Sequence, residues 1–430
     1  MVCPQERASS FIKITLSKLE KYLFYLLIIL LPVNLGKHFI FPFSYVNGIL
    51  VDYLIPTLYL TDLLILGLLS LWAVREAKLP RLLGLIKDLK ERKIILILLL
   101  FLISLAPSVI LVDNQPAAVY RYLKISEYIF LAFYVARNYK FKDIFSKLSF
   151  LLSIGALFEG VLVLAQFIKQ TSIFGYLFLG EPVFNSSMFG VAKYEIFNRL
   201  LVRPYGTFPH PNVMGGYFAL LIPWFIFRFV EARRCDLRKQ TLWWGLVLVV
   251  CVTGFLLSFS RTAIIVGILG SLGVLWWVGN LGHKKEIKII PAVISLSISR
   301  RIFLAGAAFK AIQEKPFFGV GLNNFTVYLA RSRSLLEETR YLQPVHNVFL
   351  LIFAESGVLA GVLFVLFLGS VVISLMRPIR PMGPMTLPAI SLIQIVLISL
   401  SDHYFWTIQQ TSIFFWLIIG FGLGYARLEK

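Results

Sequence analysis

The sequence predicts an all-α, polytopic integral membrane protein of about twelve transmembrane helices, forming a single domain over residues 1–430. Three observations predict it. The chain is 58% apolar and only 15% charged, with a mean hydropathy of +0.81, a balance that soluble domains do not show. Apolar runs near the roughly 20 residues needed to cross a bilayer recur along almost the whole length. The 42 Lys and Arg residues fall mostly in short clusters between those runs.

The spans read at about 20–37, 55–74, 94–112, 118–136, 145–168, 212–230, 241–258, 262–280, 287–299, 347–376, 386–401 and 411–426. The loops after spans two, four, six and eight are basic: REAKLPRLLGLIKDLKERK, RNYKFKDIFSK, RFVEARRCDLRKQ and HKKEIK. The intervening turns, VDNQPAA among them, are poor in Lys and Arg. The positive-inside rule then puts both termini in the cytoplasm. It also accounts for the net charge of +20 without a nucleic-acid partner. The ninth run, IIPAVISLSIS, is short, but the basic MRPIR after span ten requires a crossing there. The apolar run from Tyr22 to Leu31 has no small-residue cleavage site after it and reads as a retained first span. Cys3, Cys235 and Cys251 show neither metal spacing nor a disulfide framework.

Two outward loops are long, at 171–211 and 300–345. The second contains the amphipathic stretch RRIFLAGAAFKAI and carries Arg300, Arg301, Lys310, Lys315, Arg331, Arg333 and Arg340 against Glu314, Glu337 and Glu338. This cationic excess suits phosphate-bearing lipids. A long loop also crosses a membrane largely regardless of its charge.

Three basic residues stand at the rims of apolar runs on the same outward side. Arg203 lies in RPYGTFPHPN, a loop stiffened by three prolines, with Asn212 the expected N-cap of the sixth span. Arg261 lies in SFSRT, a tight turn that puts it in the first turn of the eighth span, where anions are favoured. His346 lies in QPVHNVFLLIF, at the start of the tenth span, where a helix N-terminus keeps an imidazole neutral. Guanidinium groups grip phosphate oxygens in pairs, and a neutral imidazole can take the proton of a hydroxyl. His210, His403, His38 and His283 are weaker candidates. Arg121, Lys124 and Glu127 recur every third residue and share one helix face, as an intramembrane ion pair would. Glu159 is a further charge within a span. Gly357 and Gly361 suggest a close-packing face beside Glu355. The Gly-x-Gly of PFFGVGLNNF follows no strand and reads as a tight turn, not a dinucleotide site. No Asp-rich or His-rich run suggests a bound metal, and no cofactor is expected.

RPYGTFPHPN, SFSRT, EKPFFGVGLNNF and HNVFLLIFAESGVLAG, in this order and spacing over about residues 200–365, resemble the landmarks of the O-antigen ligase and polymerase superfamily. The resemblance implies glycosyl transfer from an undecaprenyl-pyrophosphate-linked glycan at the periplasmic face of the bacterial inner membrane. The acceptor would be lipid A–core or another glycan, with membrane lipids as neighbours. It implies that Arg203 and Arg261 bind the donor pyrophosphate and His346 activates the acceptor hydroxyl. His210, Asn212, Asn347, Arg300, Arg301, Arg121 and Asp402 are the expected substrate-binding residues. The long outward loop just before His346 favours a ligase over a repeat-unit polymerase or a protein O-oligosaccharyltransferase. A lipid-linked saccharide flippase is the competing class, although the chain shows no repeated halves.

Overall fold

The computed structural model describes residues 4–76, 92–196, 198–279, 297–331, 342–376 and 386–425. The chain is mostly helical. Its long helices are α1 (Pro4–Ile29), α2 (Leu60–Arg75), α3 (Arg92–Ser104), the one-turn α4 (Pro107–Ile110), α5 (Gln115–Asn138) and α6 (Phe141–Lys169). They continue with α7 (Pro211–Arg234), α8 (Arg238–Leu257), α9 (Arg261–Gly279), α10 (Ser297–Glu314) and α11 (Phe325–Arg331). The last are α12 (Val348–Met376), α13 (Thr386–Ser399), the one-turn α14 (Tyr404–Thr407) and α15 (Gln409–Tyr425). Among the described residues, six stretches are long and apolar enough to cross a membrane: Lys93–Ile110, Phe141–Lys169, Pro211–Arg234, Arg238–Leu257, Arg261–Val278 and Val348–Met376. Six is fewer than the twelve expected. The remaining expected spans fall on more charged or shorter helices, and residues 287–296 of the ninth lie outside the described residues.

The first span differs from its expected 20–37. Helix α1 stops at Ile29, and Gly36–His38 (β1) instead pairs antiparallel with Thr57–Tyr59 (β4). The described chain is mostly helical, and among the described residues its loops add three two-stranded sheets. Tyr45–Val46 (β2) and Ile49–Leu50 (β3) close over Asn47–Gly48, both at positive φ (50° and 78°). That Asn-Gly pair is the residue choice a two-residue I′ hairpin demands. In the loop 171–211, Lys193–Ile196 (β5) pairs with Arg199–Val202 (β6). In the segment 300–345, the expected amphipathic stretch RRIFLAGAAFKAI lies on α10, and α11 follows it.

Helix α7 packs against α6, α8, α9 and α13, α15 packs on α5, and α12 on α3 and α10. Hydrocarbon offers no water to a broken backbone, so each break must be satisfied by protein. Pro223 inside α7 removes the N–H that would bond the Ala219 carbonyl. Gln394 of α13 donates its amide to that carbonyl at 2.9 Å, and to Val266 O of α9 at 3.2 Å. The second break is at Gly357, whose φ of 84° and ψ of 173° interrupt α12. The glycine-rich turn 316–321 fills it. Val320 N and Gly321 N donate to the Ala354 and Glu355 carbonyls, and Val358 N donates to Pro316 O, all at 2.8–2.9 Å. Gly357 therefore marks a helix break, not the helical packing face expected of it, while PFFGVG is the tight turn expected. A third junction gathers distant segments on one carbonyl. Pro32 O, just past α1, accepts the Thr207 hydroxyl at 2.6 Å and the Gln410 amide of α15 at 3.2 Å.

Gly357→Ala should destabilise the protein severely. Its φ/ψ belongs to a region essentially restricted to glycine, costing about 1–3 kcal/mol on its own. The new Cβ would also stand 2.1 Å from Phe317 O. Gly369→Ala, in the same helix with open space around it, should be neutral or slightly stabilising. Thermal unfolding of the two purified variants would compare them, and equal midpoints would refute this account of the break.

Candidate functional site

A cavity of about 880 Å³ opens between the loops and helix ends. Its wall brings together eight of the ten residues expected at the site: Arg203, His210, Asn212, Arg300, Arg301, Arg121, His346 and Asp402. Arg261 and Asn347 are not on that wall.

Two buried side chains of α6 hold the loop that carries Arg203. Gln166 Oε1 accepts the N–H groups of Tyr205 (2.9 Å) and Gly206 (2.8 Å), and its amide donates to Gly206 O (3.1 Å) and to Glu181 (2.7 Å). Glu159 accepts the Thr207 N–H at 3.0 Å and meets its hydroxyl at 2.6 Å. Gly206 has φ 61°, and a Cβ there would fall 2.2 Å from Glu159 Oε2, so this position requires glycine. Thus anchored, Arg203 forks Nε and Nη2 onto the Ser258 carbonyl at 2.8 and 2.6 Å, and Nη2 also donates to Asn212 Oδ1 at 2.7 Å. Burial lowers its pKa to about 10, which leaves it charged at neutral pH.

Asn212 is not the N-cap of α7. His210 takes that place, with Nδ1 accepting the Asn212 N–H at 3.1 Å and Pro211 at the first helical position. Proline prefers that position, which moves the cap upstream. The acceptor role requires a neutral His210 with its proton on Nε2. Burial, then the charge of Arg203, holds its pKa below the usual value. Asn212 serves instead to orient Arg203.

Arg261 is the first residue of α9, as expected, and is exposed. Its turn is the one whose Ser258 carbonyl holds Arg203. Asn347 is the cap of α12. Its Oδ1 accepts the Leu350 N–H at 2.9 Å, and its amide donates to Leu400 O at 3.1 Å. It fixes the neighbouring His346 against the end of α13.

His346 is half-buried and its Nδ1 has no hydrogen-bond partner among the described residues. Its pKa is lowered, first by burial and then by the fields of Arg301 and Arg300, while Asp402 pulls it upward. The neutral form is therefore favoured as expected, although burial, not the helix end, is the leading cause. Arg301, near the start of α10, donates to Ser401 O at 2.7 Å and so stands beside Asp402. Burial pushes the Asp402 carboxyl up. His403, His346, Arg301 and the His403 N–H (2.9 Å) together outweigh that and hold it below its usual range.

His403 belongs to the site more fully than its sequence suggested. Its buried ring stacks on His346 with centroids 5.2 Å apart and planes 29° apart, and Tyr53 meets it edge-on at 5.6 Å. Its Nδ1 lies 2.7 Å from Thr407 Oγ1. Burial drives its pKa down to about 3. His346, Asp402 and His403 bring their ligand atoms within 4.8 Å of one another, a three-residue cluster that chain spacing did not reveal. Near-parallel rings, however, direct their in-plane lone pairs side by side and not toward one point. Arg301 adds positive charge beside them, which suits an anion better than a cation.

The opposite end of the cavity is lined from α5. Lys124 pairs with Asp62 and, at 3.4 Å, with Glu127. Asp62 also accepts Tyr59 N at 2.9 Å and the Gln409 amide, and Gln409 accepts the Tyr128 hydroxyl. The expected intramembrane pair is thus present, but Arg121, on the same face, stands outside it.

The arrangement offers fixed cations around a neutral imidazole, which is what charge development on a phosphate-bearing leaving group requires. A search of curated proteins found no match to the chain. A family model described as O-Antigen ligase matches residues 214–365. That stretch contains Arg261, Arg300, Arg301 and His346, whereas Arg203, His210, Arg121 and Asp402 lie outside it. Within this apolar, mostly helical chain, residues 214–365 thus carry a likeness to the O-antigen ligase superfamily.

Proposed function

We propose that this membrane enzyme transfers a glycan from an undecaprenyl-pyrophosphate carrier to an acceptor hydroxyl at the periplasmic face of the bacterial inner membrane. Lipid A–core is the acceptor we assign, as in an O-antigen ligase. The observation that carries this reading is the single cavity in which a fixed arginine, Arg203, shares a wall with a neutral histidine, His346. The acceptor oxygen attacks the anomeric carbon as that carbon's bond to the pyrophosphate breaks. His346 takes the hydroxyl proton. The departing lipid pyrophosphate keeps the bonding electrons, and its growing charge meets Arg203 and Arg301 inside and Arg261 at the rim. One displacement inverts the anomeric centre. The proton on His346 is favoured by Asp402, whose carboxylate already raises the ring's affinity for it. No nucleotide sugar and no metal enters these steps. A flippase would also need cationic contacts, but it would have no use for a neutral, half-buried base beside a carboxylate.

Purified protein given an undecaprenyl-pyrophosphate glycan and lipid A–core should yield coupled glycolipid and free undecaprenyl pyrophosphate, with the rate unchanged in excess chelator. Translocation of the carrier between vesicle leaflets without coupled product would instead establish a flippase. Chelator inactivation reversed by zinc would assign the His346–Asp402–His403 cluster to a metal.

Arg203→Ala should reduce transfer by about 10²–10³-fold, the usual loss on removing one preorganised donor. Arg261→Ala should cost about ten- to hundredfold, as for a charged hydrogen bond. Arg261→Lys should recover little, because an ammonium lacks the planar fork. Wild-type rates for Arg261→Ala would remove that residue from the donor site.

His346→Ala should lose about 10²–10⁴-fold in rate while still binding inorganic pyrophosphate. Because the folded pKa of His346 lies below its ordinary 6.5, the base stays neutral and competent as pH falls through 6.5. The acid limb of kcat/KM should therefore lie below 6.5 and vanish in the variant. An acid limb centred above 6.5 would contradict the assignment.

A further inference from the structure

Arg121 lies on the cavity wall with only 8% of its surface exposed. Among the described residues it makes no ion pair and no hydrogen bond. Its guanidinium instead lies over the Trp406 ring, 5.2 Å from the centroid. Lys124, one turn along the same face, is neutralised by two carboxylates. Glu355 is near enough to act on Arg121 electrostatically but stands beyond ion-pair distance. A buried cation without a counter-ion is costly, and contact with a ring face leaves its N–H donors available to a ligand. The surroundings are polar and able to bind a saccharide: Tyr59, Tyr120, Tyr128 and Gln409 line the same end. The fields on His346 come from Asp402, Arg301 and Arg300, while those on Arg121 come from Tyr128, Glu355, Tyr120 and Tyr59. The two cationic stations are therefore distinct, with His403 at one and Trp406, three residues further along α14, at the other.

We propose that Arg121 forms a second anion subsite in the cavity, which takes a phosphate or carboxylate carried on the acceptor saccharide and so sets the acceptor's orientation toward His346. This rests on the glycosyl-transfer reading given above. An anionic saccharide fits both the unpaired guanidinium and the hydroxyl-rich wall, whereas a bare lipid headgroup uses only the first. Catalytic charge on the leaving group belongs to Arg203 and its neighbours, and Arg121 acts on the other reactant.

The test measures binding of glucose 6-phosphate, glucose and inorganic pyrophosphate to the full-length purified protein, wild type, Arg121→Gln and Arg203→Gln. Wild type should prefer glucose 6-phosphate over glucose. Arg121→Gln should weaken glucose 6-phosphate by about ten- to hundredfold, the value of one charged hydrogen bond or pair of them, and leave pyrophosphate little changed. Arg203→Gln should do the reverse. Unchanged glucose 6-phosphate binding by Arg121→Gln, or none by wild type, would overturn the subsite. Loss of pyrophosphate binding in Arg121→Gln would move the residue to the donor and equally overturn it. Pyrophosphate binding unaffected by Arg203→Gln would sink the donor assignment instead, with the Arg121 result still readable. A folded Arg121→Gln variant should melt no lower than wild type, because it removes an uncompensated buried charge; a clear drop would mean that the arginine is structural.

Discussion

The constraint on which the rest depends is that backbone polar groups within an apolar fold must find partners in the protein. Three side chains and one turn meet it where the helices are interrupted. Gln394 replaces the donor that Pro223 removes. The turn at 316–321 fills the break at Gly357. Gln166 and Glu159 receive the N–H groups of the loop leading into α7. The last of these reaches the chemistry directly. A loop so anchored presents Arg203 to the Ser258 carbonyl before any ligand arrives, so its guanidinium plane is fixed in advance.

Much of this was legible in the sequence. Apart from the first, the described apolar runs gave helices close to their expected ends, and Arg203 and His346 came to one cavity. Arg203 and His346 share the cavity, each lying just ahead of a long apolar helix, α7 and α12 respectively. Arg261 was placed correctly in the first turn of its helix, yet it looks outward. A helix start fixes a residue's height along the axis, but its rotation is set by packing on α7 and α13.

What the sequence concealed has definite causes. Asp402 and His403 lie 56 and 57 positions beyond His346, and only the packing of α14 against α12 brings the three side chains together. The distinction between Lys124 and Arg121 depends on Asp62, contributed by another helix, so a three-residue spacing could not tell the paired cation from the unpaired one. The I′ hairpin at Asn47–Gly48 did carry a local signal, overshadowed by the surrounding apolar residues. Gly357 and Gly361 have the spacing of a helix–helix contact, and nothing in that spacing announces a positive φ. Asn212 and His210 are both plausible caps until Pro211 is recognised as the first helical residue.

The Pro32 carbonyl bears on how such a protein can be divided. Its two donors, Thr207 and Gln410, stand 175 and 378 positions away along the chain. The matched segment 214–365 supplies His346 but neither Arg203 nor Asp402, and the loop holding Arg203 is fastened through Thr207 to the Pro32 carbonyl, which Gln410 also reaches. The proposed site is thus not a portable module. Insertion of the last helix is needed before the first can complete its hydrogen bonds, so a chain halted after α12 would display the recognisable family segment without an assembled pocket.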